Sequence, residues 1–121
     1  MDKTINIEGR EIKFRATART PRLYRMITNR DMIKDMNNLM QAFQKKTANN
    51  ENVLSQLTTE HLMIFEDSAY TMARHANPDM PEKSADDWLD TFEMFDIYSI
   101  FPELIELWTQ NTATTAIPKK K

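Results

Sequence analysis

Twenty residues in the middle of the chain, Leu57 to Ala76, leave few folds open. Leu62, Phe65, Ala69, Met72, Ala73 and Ala76 recur at three- and four-residue steps, which lines them along one face of an α-helix. Met63, Ile64 and Tyr70 widen that apolar surface, so neighbours are expected on more than one side. Thr58 and Thr59 offer hydroxyls to cap the start, and Asn77-Pro78 stops the helix because a proline ring cannot continue the ladder. The stretch defines a core helix and carries no chemistry of its own.

What surrounds that helix is bounded by size and composition. A chain of 121 residues is expected to form one domain with a modest core, and 40% apolar content fits a soluble globular protein. No run approaches the roughly 20 apolar residues of a membrane span. The residues after Met1-Asp2-Lys3-Thr4 alternate in polarity, so no signal-peptide hydrophobic region is expected. Absence of cysteine excludes a disulfide framework, a thiol nucleophile and a thiolate metal site, and suits a reducing cytoplasm. A single glycine argues against phosphate-cradling loops and against a turn-rich all-β fold. The expected class is mainly α, with α+β character from one short N-terminal β-hairpin: a compact bundle of about five helices over residues 1–110, then a flexible tail over 111–121.

Taken in order, residues 4–16 read as the hairpin. Ile5 and Ile7, then Ile12 and Phe14, alternate with polar residues. A two-residue turn at Gly9-Arg10 would pair Ile7 with Ile12 and Ile5 with Phe14, placing all four on one face and Glu8 opposite Glu11. A lone hairpin is marginal in water, so that face must dock on helices or on another subunit. Thr20 is expected to cap a first helix with Pro21 at its first position, running to about Asn29. Asp31 would cap a second, with the stripe Met32, Ile33, Met36, Leu39, Met40 and Phe43, fading at Lys45-Lys46-Thr47. Residues 48–56 read as an exposed loop. Beyond the central helix, Pro78 and Pro81 impose an extended or turned segment, and Ser84 with Asp87 resembles a capping box. Trp88, Leu89, Phe92 and Phe95 form the apolar side of a short helix. Ile97, Ile100, Phe101, Leu104, Leu107 and Trp108 mark the last helix, with Asp96 a candidate cap and Pro102 moving the start towards Ser99.

Catalytic signals are thin. His61 and His75 fall about 21 Å apart along one helix, too far to share a ligand. His61 reads as a surface residue and His75 as a group favoured by the helix C-terminal dipole. Asp86, Asp87, Asp90 and Glu93 cluster without the glycine or alternating spacing of a calcium loop, so a solvated face or docking patch is the expectation. No serine sits in a glycine-flanked nucleophile turn. No catalytic residue, metal site or cofactor is expected, and the chain is not expected to be an enzyme.

The charges point elsewhere. Net charge is −2, yet from Arg10 to Arg30 the bases Arg10, Lys13, Arg15, Arg19, Arg22, Arg25 and Arg30 face only Glu11, while Glu51 to Glu106 is mostly acidic. Such a split steers partners and fixes register, unless the two patches simply meet within the fold. Arg19, Arg22 and Arg25, with Tyr24 interleaved, also raise a nucleic-acid reading, although the whole chain is slightly acidic and no glycine-hinged helix-turn-helix is visible. Nine methionines supply soft side chains that repack against varied partners, with core filling the default role for most.

The segment "INIEGREIKFRATARTPRLYRMITNRDMIKDM", followed in order by "EDSAYTMARHANPDMP", "WLDTFEMFDIYSIFPELIELW" and "NTATTAIPKKK", resembles the tail assembly chaperones of long-tailed bacteriophages of Gram-positive bacteria. The resemblance covers nearly the whole chain and rests on the ordering of segments, since that family has no catalytic signature. It implies a small non-enzymatic protein, made in the host bacterial cytoplasm from a phage or prophage gene and absent from the mature virion. It would bind the tape measure protein, keep it soluble and recruit tail tube protein. It also implies a frameshift-extended form of the same protein, for which Lys119-Lys120-Lys121 could reflect an A-rich slippery run; the alternative is an ordinary basic tail. No membrane partner is expected, a homo-oligomer stays open, and a small nucleic-acid-binding protein is the alternative. Apolarity and charge, rather than the family, select the expected partner-binding residues: Leu23, Tyr24, Met26, Met36, Met40 and Phe43, with Arg19, Arg22 and Arg25 steering.

Overall fold

The computed structural model describes residues 1–48, 57–93 and 95–116. In chain order these form β1 (Asp2–Ile7), β2 (Arg10–Arg15), α1 (Thr20–Thr28), α2 (Met32–Ala48), α3 (Thr59–Ala76), α4 (Ala85–Leu89), a 3-10 helix (Phe95–Ile100) and α5 (Phe101–Ala116). The architecture among them is mainly α, five α-helices with one antiparallel two-stranded hairpin. Of the loop expected over residues 48–56, Ala48 instead ends α2 and 49–56 lie outside the described residues, as do 117–121.

α3 is the centre. Ser68 to Ala73 are six consecutive buried residues, which at 3.6 per turn means that every side of the helix is covered there. β2, α1, α2 and α4 all pack on it. The two polar residues in that run are satisfied locally: the Thr71 hydroxyl donates to the Asp67 carbonyl at 2.7 Å, and the Ser68 hydroxyl to the Met36 sulfur at 3.3 Å. Met63, expected to extend the apolar surface, is instead exposed, although Ile64 and Phe65 beside it are buried. Thr58 caps the start by accepting the His61 N–H at 3.1 Å, and its own N–H points at the His61 ring Nδ1 at 3.4 Å. His61 thus closes a capping box in the place usually held by Glu or Gln.

The hairpin forms with a different register. The turn is Glu8-Gly9, both with positive φ (55° and 81°), so Ile7 pairs with Arg10, Ile5 with Ile12 and Lys3 with Phe14. The φ signs are those of a type I′ turn, which like the type II′ turn expected one residue later matches the twist of the flanking strands. The slip is two residues, which preserves side-chain parity: Ile5, Ile7 and Phe14 are still buried on one face. The expected Glu8–Glu11 repulsion disappears, since Glu11 lies opposite Asn6. The Met1 ammonium donates to the Ala16 carbonyl at 2.8 Å, and the Ala16 N–H to the Met1 carbonyl at 2.9 Å, extending the ladder.

The remaining elements clamp α3. Ser84 caps α4 by accepting the Asp87 N–H at 3.1 Å. Trp88, buried from α4, meets Phe14, Tyr70 and Phe92 with ring centroids at 6.3, 5.9 and 5.2 Å. The proline-containing link is held where the Tyr70 hydroxyl and the Arg74 guanidinium both donate to the Glu82 carbonyl, at 2.9 and 3.0 Å. All six apolar residues expected to mark the last helix are buried, and Phe101 stacks on Phe65 and Phe43 at 5.1 Å each. Ile97 and Ile100 belong to the preceding 3-10 helix, and Asp96 lies inside it, so it does not cap α5. Pro102 occupies the first turn of α5, where a missing N–H costs least. α5 continues to Ala116, past the boundary expected at residue 110. None of the described helices is long and apolar enough to cross a membrane.

Candidate functional site

α1 is shaped at both ends by short-range hydrogen bonds. Thr20 does not cap it; its buried side chain instead accepts the Thr17 N–H at 2.8 Å and lies 3.1 Å from His75 Nδ1. The residue at the cap position is Arg19, without a side-chain cap bond. At the far end Asn29 adopts the left-handed conformation (φ 65°), and its N–H donates to the Arg25 carbonyl at 2.7 Å. Two residues later the Asp31 carboxylate accepts the Ile33 and Lys34 N–H groups, which starts α2 as expected.

Between the two helices Arg30 ties three elements. Its Nε donates to Asp35 at 3.0 Å and its Nη2 to Asp67 at 2.8 Å and to the Tyr24 hydroxyl at 2.9 Å. Tyr24 donates in turn to Asp35 at 2.7 Å. Burial opposes the charge on Arg30, but the hydrogen bonds to Asp67, Asp35 and Tyr24 outweigh it and raise the guanidinium pKa. Burial, then the Asp35 hydrogen bond, raises that of Tyr24. Here the basic and acidic stretches of the chain meet, Arg30 joining Asp67; a second contact, elsewhere, joins Lys3 of β1 to Glu106 of α5 at 2.9 Å.

The other arginines of α1 stay outside that closure. Thr20, Leu23, Tyr24 and Ile27 follow the i, i+3, i+4, i+7 rule and face inward, leaving Arg22, Arg25 and Met26 on the outer face. Met26 is 70% exposed, the largest exposure among the sizeable apolar side chains described. Among the described residues, Arg19, Arg22 and Arg25 make no salt bridge.

A groove runs along each side of this ridge. One, of about 540 Å³, has an apolar floor of Leu23, Met26, Ile27 and Pro78 with Arg15, Arg19, Arg74 and His75 around it. The other, of about 550 Å³, lies between Arg22 and Arg25 on one side and Met32 and the exposed Ile33 on the other. His75 at the edge of the first has its pKa lowered, by burial first and then by Arg19 and Arg15. The helix-dipole role expected for it would need the opposite shift, so its surroundings outweigh the dipole.

The expected partner-binding residues therefore divide. Arg19, Arg22, Leu23, Arg25 and Met26 come together on α1. Tyr24 and Met36 do not join them: both are at 0% exposure, Tyr24 in the Arg30 network and Met36 under the Ser68 hydroxyl. Met40 and Phe43 are half-buried against the core, with Phe43 stacked on Phe101 away from the ridge. Arg74, His75 and Pro78 lie beyond sequence reasoning, because nothing local says that residues more than 50 positions away line the same groove as Leu23; Arg15, eight positions before Leu23, is brought there by the turn from β2 into α1. Ile33 was assigned to the core stripe of α2, but it sits on the flank of the Met32, Met36, Leu39 arc and faces solvent. No family model, curated protein or solved structure matches this chain.

Proposed function

We propose that this protein is a tail assembly chaperone of the kind that its ordered segments resemble: a non-enzymatic protein that binds the tape measure protein, keeps it soluble and recruits tail tube protein in the bacterial cytoplasm. The observation that carries the reading is the outer face of α1, where Met26 stands exposed beside arginines that make no salt bridge with any described residue, lining one groove and flanking a second. A long helical client with exposed apolar stripes aggregates unless something covers them. A flexible thioether accepts stripes of different shape, and the arginines favour one orientation without demanding one sequence. Co-expression with the tape measure protein from the neighbouring phage gene tests this. The tape measure should stay soluble and co-purify with the full chain, or with the frameshift-extended form; precipitation with both removes the reading.

Arg19, Arg22 and Arg25, which make no salt bridge among the described residues, also favour a second reading, binding to nucleic-acid phosphates. Filter binding separates the two. A phosphate-driven binder loses affinity along a steep log–log salt slope, whereas a chaperone shows no retention of DNA or RNA at moderate salt.

A further inference from the structure

We infer that the groove between α1 and the C-terminal end of α3 takes an acidic amphipathic helix, with apolar side chains on Leu23, Met26 and Ile27 and carboxylates against Arg19 and the neighbouring cations. This rests on the chaperone reading and gives the chemistry of the client segment.

The groove has two chemically distinct parts. Its floor is aliphatic and thioether, made by Leu23, Met26, Ile27 and Pro78. Its rim carries Arg15, Arg19, Arg74 and His75, and none of the described residues lining it is a carboxylate. The rim cations are not equally free. Arg15 is held by Asp2 through two hydrogen bonds, at 2.9 and 3.1 Å. Arg74 is spent on the Glu82 carbonyl and approaches the Tyr70 hydroxyl at 3.4 Å. Arg19 makes no side-chain hydrogen bond or ion pair with a described residue and is exposed. A carboxylate arriving there gains a charge-assisted bond without breaking one. Lysine-flanked or neutral stripes would bring like charge or nothing to the same rim, so the groove discriminates by repulsion as well as attraction.

The occupant is a helix rather than a strand for a geometric reason. The floor residues lie at i, i+3 and i+4 on a nine-residue helix, a span of about 13 Å, which meets two to three turns of a second helix packed alongside. A groove of about 540 Å³ has room for the few anchor side chains that such a helix inserts.

Two synthetic 18-residue amphipathic peptides, carrying the same Leu/Met stripe flanked by Glu in one and by Lys in the other, test this by fluorescence anisotropy with the full chain. The Glu peptide should bind at least tenfold tighter than the Lys peptide. Arg19→Glu should lower Glu-peptide affinity tenfold or more and raise that for the Lys peptide. Met26→Ser should weaken the Glu peptide without changing the preference. Circular dichroism on each variant checks that the fold is intact. Equal binding of both peptides, binding of neither, or a preference unmoved by Arg19→Glu overturns the inference. A single-stranded oligonucleotide that displaces the Glu peptide through the same residues, with no preference between peptides, overturns it in favour of phosphate binding. If the inference fails while tape measure protein still co-purifies with the wild-type chain, the chaperone reading survives with another contact surface. If co-purification fails too, both fall.

Discussion

Arg30 shows how one residue can look like part of a binding patch and be something else. In the sequence it belongs to the basic run ending α1; in the fold it serves Asp35, Asp67 and the Tyr24 hydroxyl together. Replacing it with Met keeps the stem and removes the charge, leaving two half-buried carboxylates without a cation. The expected loss is about 1–3 kcal/mol, below the ~3–5 kcal/mol of a fully buried pair because the side chain is one-third exposed. Urea denaturation measures it, and a variant as stable as wild type would show that the network is incidental. His75 makes a pH prediction. Its folded pKa lies below the ordinary 6.5, so above that value both states are neutral and the residue contributes no slope. As pH falls through about 6.5 the unfolded chain protonates first, and stability drops until the folded pKa is passed. Between pH 7.5 and 5.5, wild type should therefore lose more stability than His75→Gln; parallel losses would assign the pH effect to other groups. Neither Arg30's partners nor the neighbours of His75 could be read beforehand, because each environment is assembled from separate elements. The burial of Tyr24 is a different case. The spacing Thr20, Leu23, Tyr24, Ile27 marks the inward face of α1 and excludes Met26, so the signal was present in the sequence.

The elements were easier to read than their details. Helix positions follow from apolar periods and caps, and Thr58, Ser84 and Asp31 all cap where their side chains suggest. Hairpin register was harder, because two-residue shifts keep the same face buried and the apolar pattern cannot separate them. Turn geometry decides instead, and this makes Gly9 a sharp test. No atom lies within 4 Å of the position a Cβ would take, so any cost of Gly9→Ala comes from its φ of 81° alone. About 1 kcal/mol is expected, and Gly9→Asn should recover part of it because Asn tolerates the left-handed region. Equal stability for the two variants would mean that the turn relaxes to another type. The outer face of α1 should behave in the opposite way. Met26 is mostly in water, so Met26→Ser should change stability by less than about 0.5 kcal/mol, which lets its effect on binding be read without a folding correction.

At the scale of the whole molecule, a question is what makes a two-stranded hairpin and a set of short helices one cooperative unit. Trp88 supplies much of the answer. It sits on a five-residue helix that could not persist alone, yet it meets Phe14 of the hairpin edge-on, Tyr70 of α3 and Phe92 beyond its own helix. Phe92 in turn lies under the Arg10 guanidinium, 4.5 Å from its carbon, while Arg10 Nη1 donates to the Thr91 side chain at 3.0 Å. The N-terminal strands and the segment around residue 90 are thus joined by edge-on and tilted ring contacts to one indole. Trp88→Ala removes the joint and leaves a cavity between hairpin, α3 and α4. A cost of about 3–5 kcal/mol is expected, a large part of the 5–15 kcal/mol that domains usually possess. Because the hairpin has no other sheet partner among the described residues, the loss should not be spread evenly. Hydrogen exchange should show strand amides losing protection by more than those at the α3–α5 stack of Phe65 and Phe101, which does not touch Trp88. Uniform loss of protection across both regions would instead mean that hairpin docking and helix packing unfold as a single step, with Trp88 a measure of global stability alone.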